Sequence, residues 1–161
     1  LQLISSLVEA DIPVMGHVGL TPQAIHHLGR FQVKGKNRKE ARDILAQARD
    51  LEGAGVFSVV LECIPRELAG EVTKKLNIPT IGIGAGPHCD GQILVFHDLA
   101  GYSHGYLPKF VKQYAGLNDV IGNAVKNYIQ DVKKNAFPED KHCYHLKNPG
   151  QLDEFLNHDE E

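Results

Sequence analysis

The sequence predicts an α/β protein built on a parallel sheet, and three observations carry that prediction. The first is the run Val56-Phe57-Ser58-Val59-Val60-Leu61, apolar except at Ser58 and rich in β-branched and aromatic side chains. That is the composition of a strand covered on both faces. The second is the alternation of such runs with helical periodicities from Leu1 to Ile83, joined by connections of a few residues, which is the rhythm of βαβ units. The third is the placement of polar or glycine-rich chemistry at the carboxyl end of each predicted strand: His17, Glu62 and the Gly84–Gly86 run. In a parallel sheet those ends share one rim, where α/β proteins do their chemistry.

The elements follow in order. Leu3, Ile4, Leu7 and Val8 have helical spacing, yet no capping residue or initiating methionine precedes them. The segment reads as the tail of a helix whose preceding strand lies upstream. Ile12 to Leu20 is an apolar strand with His17 near its end, and Gly16 and Gly19 permit close backbone approach. Thr21-Pro22 can cap and open a helix. From Asn37, a capping residue, Ala41, Ile44, Leu45, Ala48 and Leu51 form one apolar stripe that ends at Gly53 and Gly55. The Val56–Glu62 strand follows, and Pro65 is placed to open the next helix, with Leu68, Val72 and Leu76 on one face and Asn77 at its end. Pro79 to Ile83 is a third strand and Gln92 to Phe96 a fourth. Beyond Pro108 the pattern turns helical, through Phe110, Val111 and Tyr114 and then from Val120 to Val132, until Phe137-Pro138 closes it. Residues 146–161 form a polar, acidic tail expected to be disordered.

Length and charge bound the function. A chain of 161 residues is long enough for one compact domain. It is too short for a complete (β/α)8 barrel, which takes about 250. Half a barrel and a small open sheet of flavodoxin type both suit the pattern. The net charge of −3 with no basic run argues against nucleic acid, and no apolar segment approaches a membrane span. Cys63, Cys89 and Cys143 lack C-x-x-C spacing, and an odd number of cysteines fits a reducing compartment. The expectation is a soluble intracellular protein.

Glu62 is the strongest candidate for chemistry, because it shares the predicted rim with His17 and the glycine run. The plainer reading of Glu62 is a helix cap. Gly82-x-Gly84-x-Gly86 is a poor phosphate loop, since Pro87 and a polar loop follow it rather than a helix. The adjacent His26 and His27 read as surface residues. His88, Cys89 and Asp90 read as loop structure rather than as a metal site, and Asp98 as a turn or capping residue. Lys109, between Pro108 and Phe110, either reaches an anion or shields an apolar face with its stem.

Four motifs follow one another in the chain: Gly16-His17-Val18-Gly19-Leu20-Thr21-Pro22-Gln23, Leu61-Glu62-Cys63-Ile64-Pro65, Ile81-Gly82-Ile83-Gly84-Ala85-Gly86 and Cys89-Asp90-Gly91-Gln92-Ile93-Leu94-Val95. In this fixed order they resemble signatures of the ketopantoate hydroxymethyltransferase family. Pro108-Lys109-Phe110 and Phe137-Pro138 with His142 match more loosely. Ala100, Tyr102 and Cys143 depart from the commoner pattern. The resemblance runs from about residue 1 to about residue 145.

It implies the C-terminal half of a (β/α)8 barrel over residues 1–145, about four parallel strands followed by C-terminal helices, with the N-terminal half missing. The implied reaction transfers a one-carbon unit from 5,10-methylenetetrahydrofolate to 3-methyl-2-oxobutanoate in pantothenate synthesis. Glu62 corresponds to the base that removes the proton next to the ketone. A carboxylate of unperturbed pKa, about 4.3, is weak for that task, so desolvation and stabilisation of the enolate must assist. In the family a Mg²⁺ ion gives that stabilisation, and its ligands are expected on strands upstream of residue 1, so no metal ligand is assigned here. His17 is assigned to the pocket wall, and Ile83, Ile93 and Val95 to an apolar pocket for the isopropyl end. Homo-oligomerisation is implied, with a cytoplasmic location, or a mitochondrial one in a eukaryote. Two other readings stay open. One is another 2-oxo acid lyase or aldolase of the phosphoenolpyruvate mutase and isocitrate lyase group; the other is a non-catalytic fragment that assembles with complete subunits.

Overall fold

The computed structural model describes residues 1–21, 32–148, 150, 152 and 156, and comprises two units, 1–116 and 117–161. The predicted helix start at Pro22 and the pair His26 and His27 lie outside the described residues, as does most of the acidic tail.

In the first unit, α1 (Gln2–Glu9) leads to β1 (Met15–Gly19), followed by α2 (Arg38–Gly53), β2 (Ser58–Glu62), α3 (Arg66–Lys75), β3 (Thr80–Ile83), β4 (Gly91–Gln92) and the single-turn α4 (Phe96–Leu99). The four strands form one parallel sheet in the order β1-β2-β3-β4. Register pairs Gly19 with Glu62 and Glu62 with Ile83, so the carboxyl ends of β1, β2 and β3 lie side by side. The predicted common rim is therefore present.

Local chemistry explains the helices. Asn37 accepts a hydrogen bond from the Glu40 N–H at 2.9 Å, and Glu40 Oε2 reaches back to the Gly35 N–H at 2.8 Å. The first bond satisfies a donor that the first turn leaves open, and the second ties the preceding loop to the helix. The bond from Gly35 is also the main reason the Glu40 carboxyl is held below its ordinary pKa. Pro65 stands before α3 with φ −56°, and its carbonyl accepts from the Ala69 N–H.

Strand alternation divides the sheet into two faces. Val18, Val59 and Leu61 point towards the helices and pack with Ile44 and Ala48 of α2 and Ala69 and Val72 of α3, forming the core. Gly16 belongs to this face, since a Cβ there would meet Leu51 at 3.0 Å. Thr80 is also buried on it; its N–H and Oγ1 both bond Asp90 Oδ2, at 2.8 and 3.0 Å. The opposite face carries Met15, His17, Ser58, Val60, Glu62, Ile81 and Ile83.

The fourth strand differs from expectation. Pairing with β3 stops at Gln92, although the Ile93 N–H still donates to the Gly82 carbonyl at 3.0 Å. Val95 then starts α4, and its carbonyl accepts from the Leu99 N–H at 2.9 Å. Val95 therefore lies outside the sheet, with helical bonds replacing a ladder that only one neighbour could support. Residues 108–116 are not helical either: Pro108 accepts from the Val111 N–H in a turn.

In the second unit, α5 (Leu117–Lys133) buries none of its side chains, and Val120, Val125 and Tyr128 are exposed. The Phe137 ring meets Tyr128 and His142 at centroid distances of 5.6 and 5.2 Å. Among the described residues, no helix is long and apolar enough to cross a membrane.

Candidate active site

Glu62 is the last residue of β2, on the face away from the helices. Three backbone contacts hold the corner it occupies. The Leu20 N–H donates to the Glu62 carbonyl at 3.0 Å, the Cys63 N–H donates to the Ile83 carbonyl at 2.9 Å, and the Lys34 N–H donates to the Cys63 carbonyl at 2.9 Å. Gly19 makes the first contact possible. Its φ is +98°, and a Cβ at that position would sit 2.1 Å from the Glu62 carbonyl oxygen. The sequence reading that Gly19 permits a close approach is thus met, with the base candidate's own backbone as the neighbour.

Cys63 turns the chain out of the strand with φ +50°, a conformation costly for a side chain other than glycine. It is buried, and burial, followed by the charge of Glu62, pushes its thiol up to about 11. It is a neutral wall rather than a nucleophile. No feature of the sequence signals this turn, because cysteine has no preference for positive φ.

The Glu62 side chain is only 12% exposed, and His17, 32% exposed, places Nε2 3.0 Å from Glu62 Oε2. The approach is close but off the line of a ring N–H bond, and Nε2 is shielded from solvent without a hydrogen-bond partner among the described residues. Ser58 Oγ, at the other end of β2, is also buried and unpaired among them. Ile83 is buried beside Glu62 in register. Ile93, 48% exposed, lines a cleft of about 640 Å³ with Leu99, Phe110 and Tyr114. Val95, 51% exposed, is not among the residues of that cleft. Of the residues predicted for the site, His17, Glu62 and Ile83 lie side by side, Ile93 stands along the rim and Val95 apart.

The loop residues His88, Cys89 and Asp90 diverge. The His88 ring meets Arg66 at 3.2 Å, while Asp90 serves Thr80. Among the described residues no group of three His, Cys, Asp or Glu side chains can hold a metal ion. One carboxylate beside an imidazole does not suit Mg²⁺, which takes near-octahedral oxygen ligation.

The ketopantoate hydroxymethyltransferase family model matches residues 1–140, with the whole described rim inside the match. The chain belongs to the ketopantoate hydroxymethyltransferase family. Its relatives include proteins named 3-methyl-2-oxobutanoate hydroxymethyltransferase. That of Citrifermentans bemidjiense is 54% identical over 143 residues, covering 89% of this chain and 54% of the relative. That of Syntrophomonas wolfei is 49% identical over 144 residues, 89% of this chain and 52% of the relative. That of Geotalea uraniireducens is 52% identical over 142 residues, 88% and 53%. The chain spans about half the length of the curated relatives it matches. Family membership thus rests on the segment that contains His17, Glu62 and the glycine run.

Proposed function

We propose that this chain forms the part of a 3-methyl-2-oxobutanoate hydroxymethyltransferase that carries the base. In this reading residues 1–145 are the C-terminal half of a (β/α)8 barrel, and residues 146–161 are a tail outside it. The observation that carries it is a shielded carboxylate at the carboxyl end of a parallel strand, Glu62, backed by His17 at 3.0 Å within the family segment. Glu62 takes the proton from the carbon next to the ketone of 3-methyl-2-oxobutanoate. Water releases the one-carbon unit of 5,10-methylenetetrahydrofolate as formaldehyde and leaves tetrahydrofolate. The substrate carbon then attacks the formaldehyde carbon, the C=O π electrons move to oxygen, and the alkoxide takes a proton to become the hydroxymethyl group. His17 limits the orientations open to the carboxylate, and Cys63 and Ile83 keep water from it. Ile83, Ile93 and Val95 are proposed to face the isopropyl end of the substrate, Val95 from the start of α4. The described residues do not fit Mg²⁺, so no step is assigned to it; its ligands would come from elsewhere in a full-length subunit. Homo-oligomerisation and a cytoplasmic setting belong to the same reading.

The test uses a chimera in which the Citrifermentans bemidjiense relative supplies the N-terminal portion. It should exchange the C3 proton of 3-methyl-2-oxobutanoate with solvent without folate. Glu62→Gln preserves shape but removes the base, so exchange should slow by about 10²- to 10⁴-fold. Exchange within a few-fold of the parent, in a folded variant, removes Glu62 from the mechanism.

A further inference from the structure

The glycine run Gly84–Gly86 and Lys109 lack a role in the chemistry above, and both border a second cleft on the same rim. Its volume is about 660 Å³, within the range of small-molecule sites. Cys63 and Ile64, the two residues after Glu62, form part of its wall. Its charged lining residues are Arg66 and Lys109, both cations, in a chain whose net charge is −3. Among the described residues no carboxylate lines it.

Arg66 is placed against local preference. It opens α3, where the helix dipole favours anions and disfavours cations. Glu67 offers little compensation, since it is 3.9 Å away on an exposed side chain. The stem of Arg66 is nonetheless held: Gly86, with φ +78°, packs so closely that a Cβ there would lie 2.4 Å from Arg66 Cβ. The guanidinium meets the His88 ring at 3.2 Å. Gly84, with φ +65°, does the same for Phe110, whose ring would be 2.7 Å from an added Cβ. The glycine run thus seats an arginine and an aromatic ring. Phe110 also borders the cleft of Ile93 and Tyr114, whose lining is apolar apart from Gln92 and Lys112, so a cationic and a largely apolar recess adjoin at one ring.

We propose that these paired recesses bind a ligand with a flat ring and a carboxylate tail, the ring against Phe110 and the carboxylates on Arg66 and Lys109. Resting on the function proposed above, the one-carbon carrier is a molecule of this class, and its glutamate tail is the part that Arg66 and Lys109 take. Among the described residues no side chain caps α3, and the N–H groups of its first turn add to the attraction.

Calorimetry on the 161-residue chain tests this with p-aminobenzoyl-glutamate and p-aminobenzoyl-triglutamate as probes. The triglutamate should bind about 10-fold more tightly or better, and its advantage should shrink as salt rises. Arg66→Met and Lys109→Met should each weaken it by about 10-fold, the scale of one charge-assisted contact, with the circular dichroism spectrum and Tm unchanged. Phe110→Leu should weaken both probes. Equal affinity for the two probes, indifference to both cation substitutions, displacement by equimolar inorganic phosphate, or no binding at all would overturn the proposal. Glu62→Gln should leave probe affinity unchanged. Exchange that survives Glu62→Gln in the chimera while probe binding is intact would therefore count against the base, and exchange lost in Glu62→Gln with no probe binding in the parent would count against this cleft.

Discussion

Replacing Gly19 by alanine probes the corner that holds Glu62. A Cβ at this position would stand 2.1 Å from the Glu62 carbonyl oxygen and 2.9 Å from an Ile64 methyl, with φ at +98°. Three costs combine. Positive φ costs an L-residue about 1–2 kcal/mol. Overpacking in a filled site costs about 1–3 kcal/mol. Separating the strands enough to relieve the clash stretches the Leu20 N–H bond to Glu62, worth about 1 kcal/mol. These overlap, because a shift that relieves the clash is the same shift that breaks the bond, so about 3–4 kcal/mol is expected. That is a large fraction of a domain stability of about 5–15 kcal/mol. Gly53→Ala is the control: nothing lies within 4 Å of its added Cβ, and it sits in the last turn of α2. It should stabilise by about 0.5–1 kcal/mol. Urea denaturation followed by circular dichroism reads both. A Gly19→Ala protein within 1 kcal/mol of the parent would refute the claim that this glycine is required by the approach to Glu62.

The remaining predictions are shorter. Calorimetry of the chain with Mg²⁺ should show only weak, unsaturating heats, because the described residues offer no cluster of three ligands; one tight stoichiometric site would overturn that. Cys63 should react with a thiol reagent at pH 8 far more slowly than the exposed Cys143, with Cys143→Ser leaving only slow phases; rapid labelling of Cys63 would contradict its burial. Its raised pKa also sets a direction for stability. The folded state keeps the proton that the unfolded chain loses near pH 9, so the contribution of Cys63 is whole below pH 9.0 and is lost as pH rises to about 11. Urea midpoints for parent and Cys63→Ser should therefore converge across that interval.

Most of the first unit was legible because local and global signals agree there. The run Val59-Val60-Leu61 is buried throughout, and Asn37 caps the helix whose stripe, Ile44 and Ala48, packs on it. Glu62 and His17 were legible as neighbours because parallel register brings strand ends together. The extent of the fourth strand was not. Ile93 and Val95 have strand composition, but a strand with one partner gains half the ladder, and α4 offers Val95 helical bonds instead. The region of Phe110 and Tyr114 shares an apolar pattern with a helix, yet Phe110 is committed to Gly84 by contact that no local pattern encodes. Arg66 left one faint signal, a cation in the first turn of a helix. The left-handed Cys63 left none.

The hydrogen bonds that fix residue 62 come from the main chain of its neighbours, so the scaffold does not depend on which side chain is carried there. Leu20, Lys34 and Ile83 would hold the same corner for a glutamine, an alanine or a lysine. Chemistry and architecture are therefore separable at this position. A saturation library at residue 62 would vary the reactive group on a constant frame, and differences in rate among its members could be read as differences in proton affinity and reach.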